Sequence, residues 1–270
     1  MTPETLYHYT SIESLAHILD TKRIKFNRLD KMDDILDGNA SDIKHISKFY
    51  YISSWTSYEK ESLAFWNMYT PNMSGVRIGL KLHPFNYYLS DVNKKINHDE
   101  YEREMDVSPF FDFEEYRFPI DLVMMFHPEL GFLRKVNYVK AEELKVPKFL
   151  NVNNDTYAFA LSEIGRYKTE HWAFQEEWRY MLYYIPNILF ENDLRKMKKN
   201  EVSKIIETIE NTENKVDAVY MDISTEYFEK MEILIGPKAK NADEIIIKSL
   251  IEKYNPKACI KKSELTGKIR

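Results

Sequence analysis

The stretch from Lys168 to Tyr180, KTEHWAFQEEWRY, constrains this chain more than any other, because it sets aromatics, carboxylates and an arginine against the start of an apolar strand. From Glu177 the residues alternate, sending Trp178, Tyr180 and Leu182 to one face and Glu177, Arg179 and Met181 to the other. Met181 to Ile185 completes the strand and Pro186 ends it. Glu177 and Arg179 therefore share a face. A carboxylate at that place is either half of a structural ion pair with Arg179 or a group that binds or transforms a ligand.

A chain of 270 residues can bury a sizeable core and suits one domain, with residues 192–270 expected as a helix plus a strand–helix–strand part packed on the rest. The 19 Tyr and 15 Phe supply much ring area for such a core. A formal net charge of −5 argues against a surface coated in phosphate-binding lysines, while leaving room for a local basic groove. The single cysteine, Cys259, has no partner for an internal disulfide and points to a reducing, cytoplasmic setting. It is expected in the core. The start of the chain, MTPETLYHYTSIES, lacks a basic-then-apolar leader pattern, and no run of about twenty apolar residues is present to span a bilayer.

Leu6 to Thr10 reads as a short strand, followed by Ser11 as the cap of a helix through Leu15, Ile18 and Leu19. His8 then sits at a strand end just before a helix amino terminus, either as a group facing an anionic ligand or as a histidine bonded within the core. Ile24 to Phe26 makes a second strand. The acidic loop after it holds Asp33, Asp34 and Asp37 without the ligand spacing of a calcium loop, and is expected to be solvated. Phe49 to Trp55 is a strand, and Glu61 to Tyr69 a helix whose Leu63 and Trp66 share an apolar face. VRIGLKL alternates as a strand, Phe132 to Val139 likewise, and Tyr157 to Tyr167 reads as a helix. The run from Phe85 to Asn153 is otherwise ambiguous. Asp193 to Asn211 predicts an amphipathic helix with interleaved Lys and Glu, a solvated face rather than a nucleic-acid patch. Glu232 to Ile235, Ala242 to Tyr254 and Ala258 to Ser263 read as strand, helix and strand.

No nucleophile elbow, phosphate-binding glycine loop, dinucleotide fingerprint or paired-histidine zinc motif occurs. Three separated elements remain: His8 at a strand end, Trp66 with Tyr69 at a helix end, and Glu177 opening a late strand. Together with the acidic MDDILDG loop, ISSW, FWNMYTPNMSGVRIGL and ILIGPKA, they resemble the bacterial domain-of-unknown-function family numbered 2971. That family is in turn similar to ADP-ribosyltransferases of the His-Tyr-Glu kind.

The resemblance implies an α+β fold with a split pair of antiparallel β-sheets and surrounding helices, and a site for NAD. It implies that His8 holds the NAD ribose within the Tyr-His-x-Thr segment that also contains Tyr9 and Thr10, Tyr9 standing where those enzymes have glycine. Tyr58 and Tyr69 match two nicotinamide-sandwiching tyrosines, with Trp66 beside Tyr69. Gln175 and Glu177 match a Gln/Glu-x-Glu pattern with Glu177 catalytic, and Arg179 either holds Glu177 or meets a phosphate. Breaking the nicotinamide–ribose bond builds positive charge on the sugar, which a fixed carboxylate stabilises. The implied activity is mono-ADP-ribosylation of RNA, DNA or protein by a toxin or phage-defence effector, with an antitoxin as a possible partner. The alternative is a non-catalytic nucleotide- or partner-binding module.

Overall fold

The computed structural model describes residues 2–86, 122–125, 132–143, 147–153, 156–160, 163–186 and 198–270. Much of the run from Phe85 to Asn153 that reads as ambiguous lies outside them, as does Asp193.

The first strand and the helix after it form as expected. Strand β1 (Thr5–Thr10) leads into helix α1 (Ile12–Thr21), where the Ser11 side chain accepts from the Ser14 amide at 3.1 Å and so satisfies an amide that the first turn leaves free. Leu15, Ile18 and Leu19 form the buried stripe, and Lys22 closes the helix in a left-handed conformation. Strands β2 (Arg23–Arg28) and β3 (Tyr50–Thr56) flank the acidic loop. Helix α2 (Leu63–Tyr69) is capped by Ser62 and precedes β4 (Val76–Lys81). Leu63 faces solvent, so the inward side of α2 is Phe65 and Trp66 rather than Leu63 and Trp66.

The middle of the chain departs more from expectation. Leu122–Met125 is strand β5, and the alternation from Phe132 to Val139 divides into β6 (Leu133–Lys135) and β7 (Asn137–Val139). The two halves join different sheets, with the buried Val136 between them. The helix expected over 157–167 is instead, at its start, a hairpin of β8 (Leu150–Asn153) and β9 (Thr156–Phe159). Cross-strand pairing overrides local helix propensity there, and Gly165 at φ 69 marks a turn before β10 (Tyr167–Thr169). A 3-10 stretch, Glu170–Gln175, then delivers the chain to β11 (Glu177–Pro186).

The carboxy-terminal third comprises α3 (Lys199–Asn211), β12 (Ala218–Asp222), the short α4 (Thr225–Glu229), β13 (Glu232–Ile235), α5 (Asn241–Tyr254) and β14 (Cys259–Lys262). Its strands complete the main sheet: β12 pairs with β2 at one end, while β13 joins β4 and β14 at the other. Cys259 lies exposed on β14, which corrects its expected place in the core.

Among the described residues the main sheet has ten strands, ordered β12-β2-β3-β1-β4-β13-β14, with β11 on the far edge of β3 and β5 and β6 beyond β11. All its pairings are antiparallel except β13 with β14. The decisive feature is β3. Along one edge it pairs continuously with β11, from Thr56↔Glu177 to Tyr50↔Tyr183. Along the other it pairs with β2 at Tyr51 and Ile52 and with β1 at Thr56. Between those contacts, at Ser53 to Trp55, β1 and β2 diverge. One large hydrophobic core, including Phe26, Phe49, Tyr180 and Leu182, underlies the sheet and fixes that geometry.

Candidate functional site

The divergence of β1 from β2 opens a cavity of about 390 Å³ over β3. That volume falls within the roughly 300–1,000 Å³ usual for small-molecule sites. Its floor is Ile52 to Thr56, and its walls carry His8 and Tyr9 from β1, Lys25 and Asn27 from β2, Phe65 and Tyr69 from α2, and Trp172, Gln175 and Glu177 from the segment singled out in sequence. His8, Tyr69 and Glu177, far apart in the chain, are thus brought to one space.

His8 reaches from β1 to the floor strand β3. Its Nδ1 lies 2.9 Å from the Ser54 carbonyl oxygen, which can only accept, so Nδ1 carries the hydrogen and Nε2 is an acceptor. The ring leans on Trp55 at 5.2 Å. Burial lowers the His8 pKa, outweighing the opposing bond to Ser54, so the imidazole is neutral at pH 7. Ser54 Oγ, on the same strand, is buried with no hydrogen-bond partner among the described residues.

Glu177 is held from all sides. Its amide donates to the Tyr138 hydroxyl at 2.9 Å and its carbonyl accepts from the Val136 amide at 2.9 Å. Its carboxylate accepts from Arg179 Nε at 2.7 Å and from Lys168 Nζ at 2.9 Å. Burial alone would raise its pKa, but Arg179 and Lys168 prevail and lower it to about 2. The carboxylate is ionised across the physiological range. The ion pair with Arg179 is therefore present, and it is part of a larger network rather than an alternative to a place in the cavity.

Arg179 is fully buried and does not line the cavity. Its guanidinium donates to both oxygens of Glu177, both oxygens of Asp37 and the carbonyl of Gly165. Those contacts occupy all the donors of the fork. This corrects the expectation that Arg179 could meet a phosphate: it is a brace behind Glu177. Asp37 corrects a second expectation, since it is 3% exposed, not solvated. The Asp-Gly turn at Asp37–Gly38, with Gly38 at φ 73, folds this carboxylate inward while Asp33 and Asp34 stay at the cavity wall. The turn is legible in sequence, but the arginine it serves lies 142 residues away.

Lys168 completes the network and was missed as a site residue. It is 6% exposed, donates to Glu177 and to Gln175 Oε1 at 3.2 Å, and lies 5.1 Å from the Trp172 ring centre. Two cations thus balance the two carboxylates of Asp37 and Glu177, which is how so much charge can be buried. Gln175 in turn donates through Nε2 to the Tyr69 hydroxyl. Burial and the nearby Glu177 charge push Tyr69 up to about 12, so its phenol stays protonated.

The remaining expected residues divide. Tyr9 lines the cavity, with its hydroxyl accepting from the Ser62 amide at 3.3 Å and its ring stacked on Phe65. Thr10, Tyr58 and Trp66 are not among the residues lining it. Thr10 is buried where β1 meets Gly75, whose close approach to the Thr10 carbonyl would put an added Cβ at 2.2 Å. Tyr58 is exposed. Trp66 is fully buried beneath Tyr9, edge-on at 4.7 Å, and its Nε1 donates to Glu61 at 3.0 Å. Its ring is a foundation for the cavity wall rather than a ligand platform.

Among the described residues no group of three or more His, Cys, Asp or Glu is placed to hold a metal ion, and no helix is long and apolar enough to cross a membrane. No curated protein and no solved structure matches the chain. Residues 65–180, the span that carries Tyr69, Lys168, Gln175, Glu177 and Arg179, match the family model described as "Protein of unknown function (DUF2971)".

Proposed function

We propose that the protein is an NAD-dependent mono-ADP-ribosyltransferase whose NAD site is the cavity between β1 and β2. The observation that carries this is the convergence of His8, Tyr69 and Glu177 on one cavity. Each supplies chemistry that the reaction needs. His8 offers Nε2, which has no hydrogen-bond partner among the described residues, to accept a hydrogen bond from a ribose hydroxyl. Tyr69 offers a ring, supported by Phe65 at 5.5 Å, against which a planar nicotinamide can be oriented. Glu177 is an ionised, immobilised carboxylate.

In the reaction the bond from ribose C1′ to the nicotinamide nitrogen breaks, and the electron pair leaves with nicotinamide, which becomes neutral. Positive charge grows on C1′ and the ring oxygen, and Glu177 stabilises it electrostatically without having to reorganise. The acceptor's nucleophile then bonds to C1′ and loses its proton. RNA, DNA and protein are all chemically suitable acceptors, and the cytoplasm of a bacterium is the setting such an effector would work in.

A second reading, a nucleotide-binding module without turnover, is favoured by one observation: both carboxylate oxygens of Glu177 are engaged by cations, which reduces the negative charge offered to the sugar. The purified protein, incubated with labelled NAD and a host lysate or nucleic acid, separates the two. Nicotinamide release that falls by about a hundredfold or more in Glu177→Asp while NAD binding persists supports the transferase. Saturable NAD binding without nicotinamide release supports the module. No adduct, no nicotinamide and no thermal shift with NAD would end both.

A further inference from the structure

We propose that Lys168 sets the hydrogen-bond polarity of the cavity wall: acting through Gln175, it holds the Tyr69 hydroxyl as a donor, so that a ligand must seat an acceptor against it. The inference builds on the cavity being a ligand site.

A lysine ammonium has donors and no acceptor. Because Lys168 Nζ approaches the Gln175 side chain at 3.2 Å, the amide oxygen must be the atom that faces it. The amide NH2 is then forced towards Tyr69, and the phenol oxygen accepts from it. The Tyr69 hydroxyl hydrogen has no acceptor among the described residues, and the ring that carries it is held by Phe65 and lines the cavity. The same ammonium also anchors Glu177 at 2.9 Å, so a buried lysine orients both groups at once. Lys168 is a positioning residue.

The polarity at the other groups is opposite. His8 Nε2 and the Glu177 carboxylate accept, so the cavity is arranged for a molecule with hydroxyl donors on one part and an acceptor oxygen or nitrogen on another. A carboxamide oxygen and a phosphoryl oxygen share that acceptor chemistry, and nicotinamide and ADP-ribose as separate probes distinguish them.

The test has a ligand-free arm and a binding arm. By NMR of the free full-length protein, the Gln175 side-chain NH2 shows cross-relaxation to the Tyr69 ring in the wild type and in Lys168→Arg, which still only donates, and loses it in Lys168→Met. Absence of the contact in the wild type, or its survival in Lys168→Met, overturns the proposal; should Lys168→Met not fold, the wild-type contact decides. In the binding arm, Tyr69→Phe keeps the ring but weakens NAD, and whichever fragment carries the acceptor, by about tenfold, the value of roughly one hydrogen bond. Gln175→Glu supplies only acceptors and turns the phenol hydrogen to itself, so adding Tyr69→Phe to it brings no further loss. Unchanged NAD affinity in Tyr69→Phe, or additive losses, overturns the proposal. If the wild type binds no NAD, the transferase reading falls, and the amide contact still decides the role of Lys168.

Discussion

Replacing Glu177 by Gln isolates the charge of the buried network with little change of shape. In the folded protein its pKa is about 2 rather than the ordinary 4.5, which at about 1.4 kcal/mol per pH unit corresponds to roughly 3 kcal/mol favouring the ionised, folded form. The substitution also leaves Lys168 and Arg179, 6% and 0% exposed, facing Asp37 as their only carboxylate in the network, and turns an amide NH2 towards donors. Breaking a buried pair on one side costs about 3–5 kcal/mol, in agreement with the pKa argument. Urea denaturation at pH 7 should therefore show Glu177→Gln about 3 kcal/mol less stable than the wild type. The pH dependence supplies a sharper check. The folded pKa lies below the unfolded one, so the contribution is complete above about 4.5 and is lost as pH falls through about 2. The gap between the two proteins should shrink across that interval. A variant within about 0.5 kcal/mol of the wild type at pH 7, the level of an ordinary surface change, or a gap that stays constant between pH 5 and 2, would show that the network does not hold Glu177 in its charged form.

The His8 pKa is lowered in the fold, so the unfolded chain binds the extra proton more readily, and stability should fall as pH drops below about 6.5. His8→Gln should remove that decline in a denaturation series between pH 7.5 and 5. Trp66→Ala should cost about 3–5 kcal/mol by emptying the space under Tyr9. Tyr58→Ala, on the surface, should stay within about 0.5 kcal/mol and leave NAD affinity unchanged in calorimetric titration.

Local chemistry made parts of the molecule legible in advance. Ser11 before an apolar stripe at helical spacing gave α1, and the alternation after Glu177 gave the shared face of Glu177 and Arg179, because capping and side-chain period depend only on nearby residues. The same locality explains the errors. Residues 157–159 satisfy a helical pattern, yet their partner strand at 150–153 decides their conformation. Trp66 and Tyr69 sit three apart on one helix, but only Tyr69 reaches the cavity, since the turn of α2 is set by Tyr9 and Glu61, outside the helix. That Arg179 holds Glu177 was one of its two expected roles; that it also pairs with Asp37, which keeps it from a phosphate, was not legible, because nothing near it in the chain reveals Asp37.

The amino-acid sequence by itself determined the strands and helices with strong periodicity, the aromatic composition of the core and the candidates His8, Tyr69, Gln175 and Glu177. Only the tertiary structure decided that β1 and β2 part over Ser53 to Trp55, and that Lys168 and Asp37 neutralise the charges beside that opening. The physical reason is range. Periodicity and capping act over a few residues, whereas burying a carboxylate requires opposite charge within a few ångströms in space, wherever in the chain it originates.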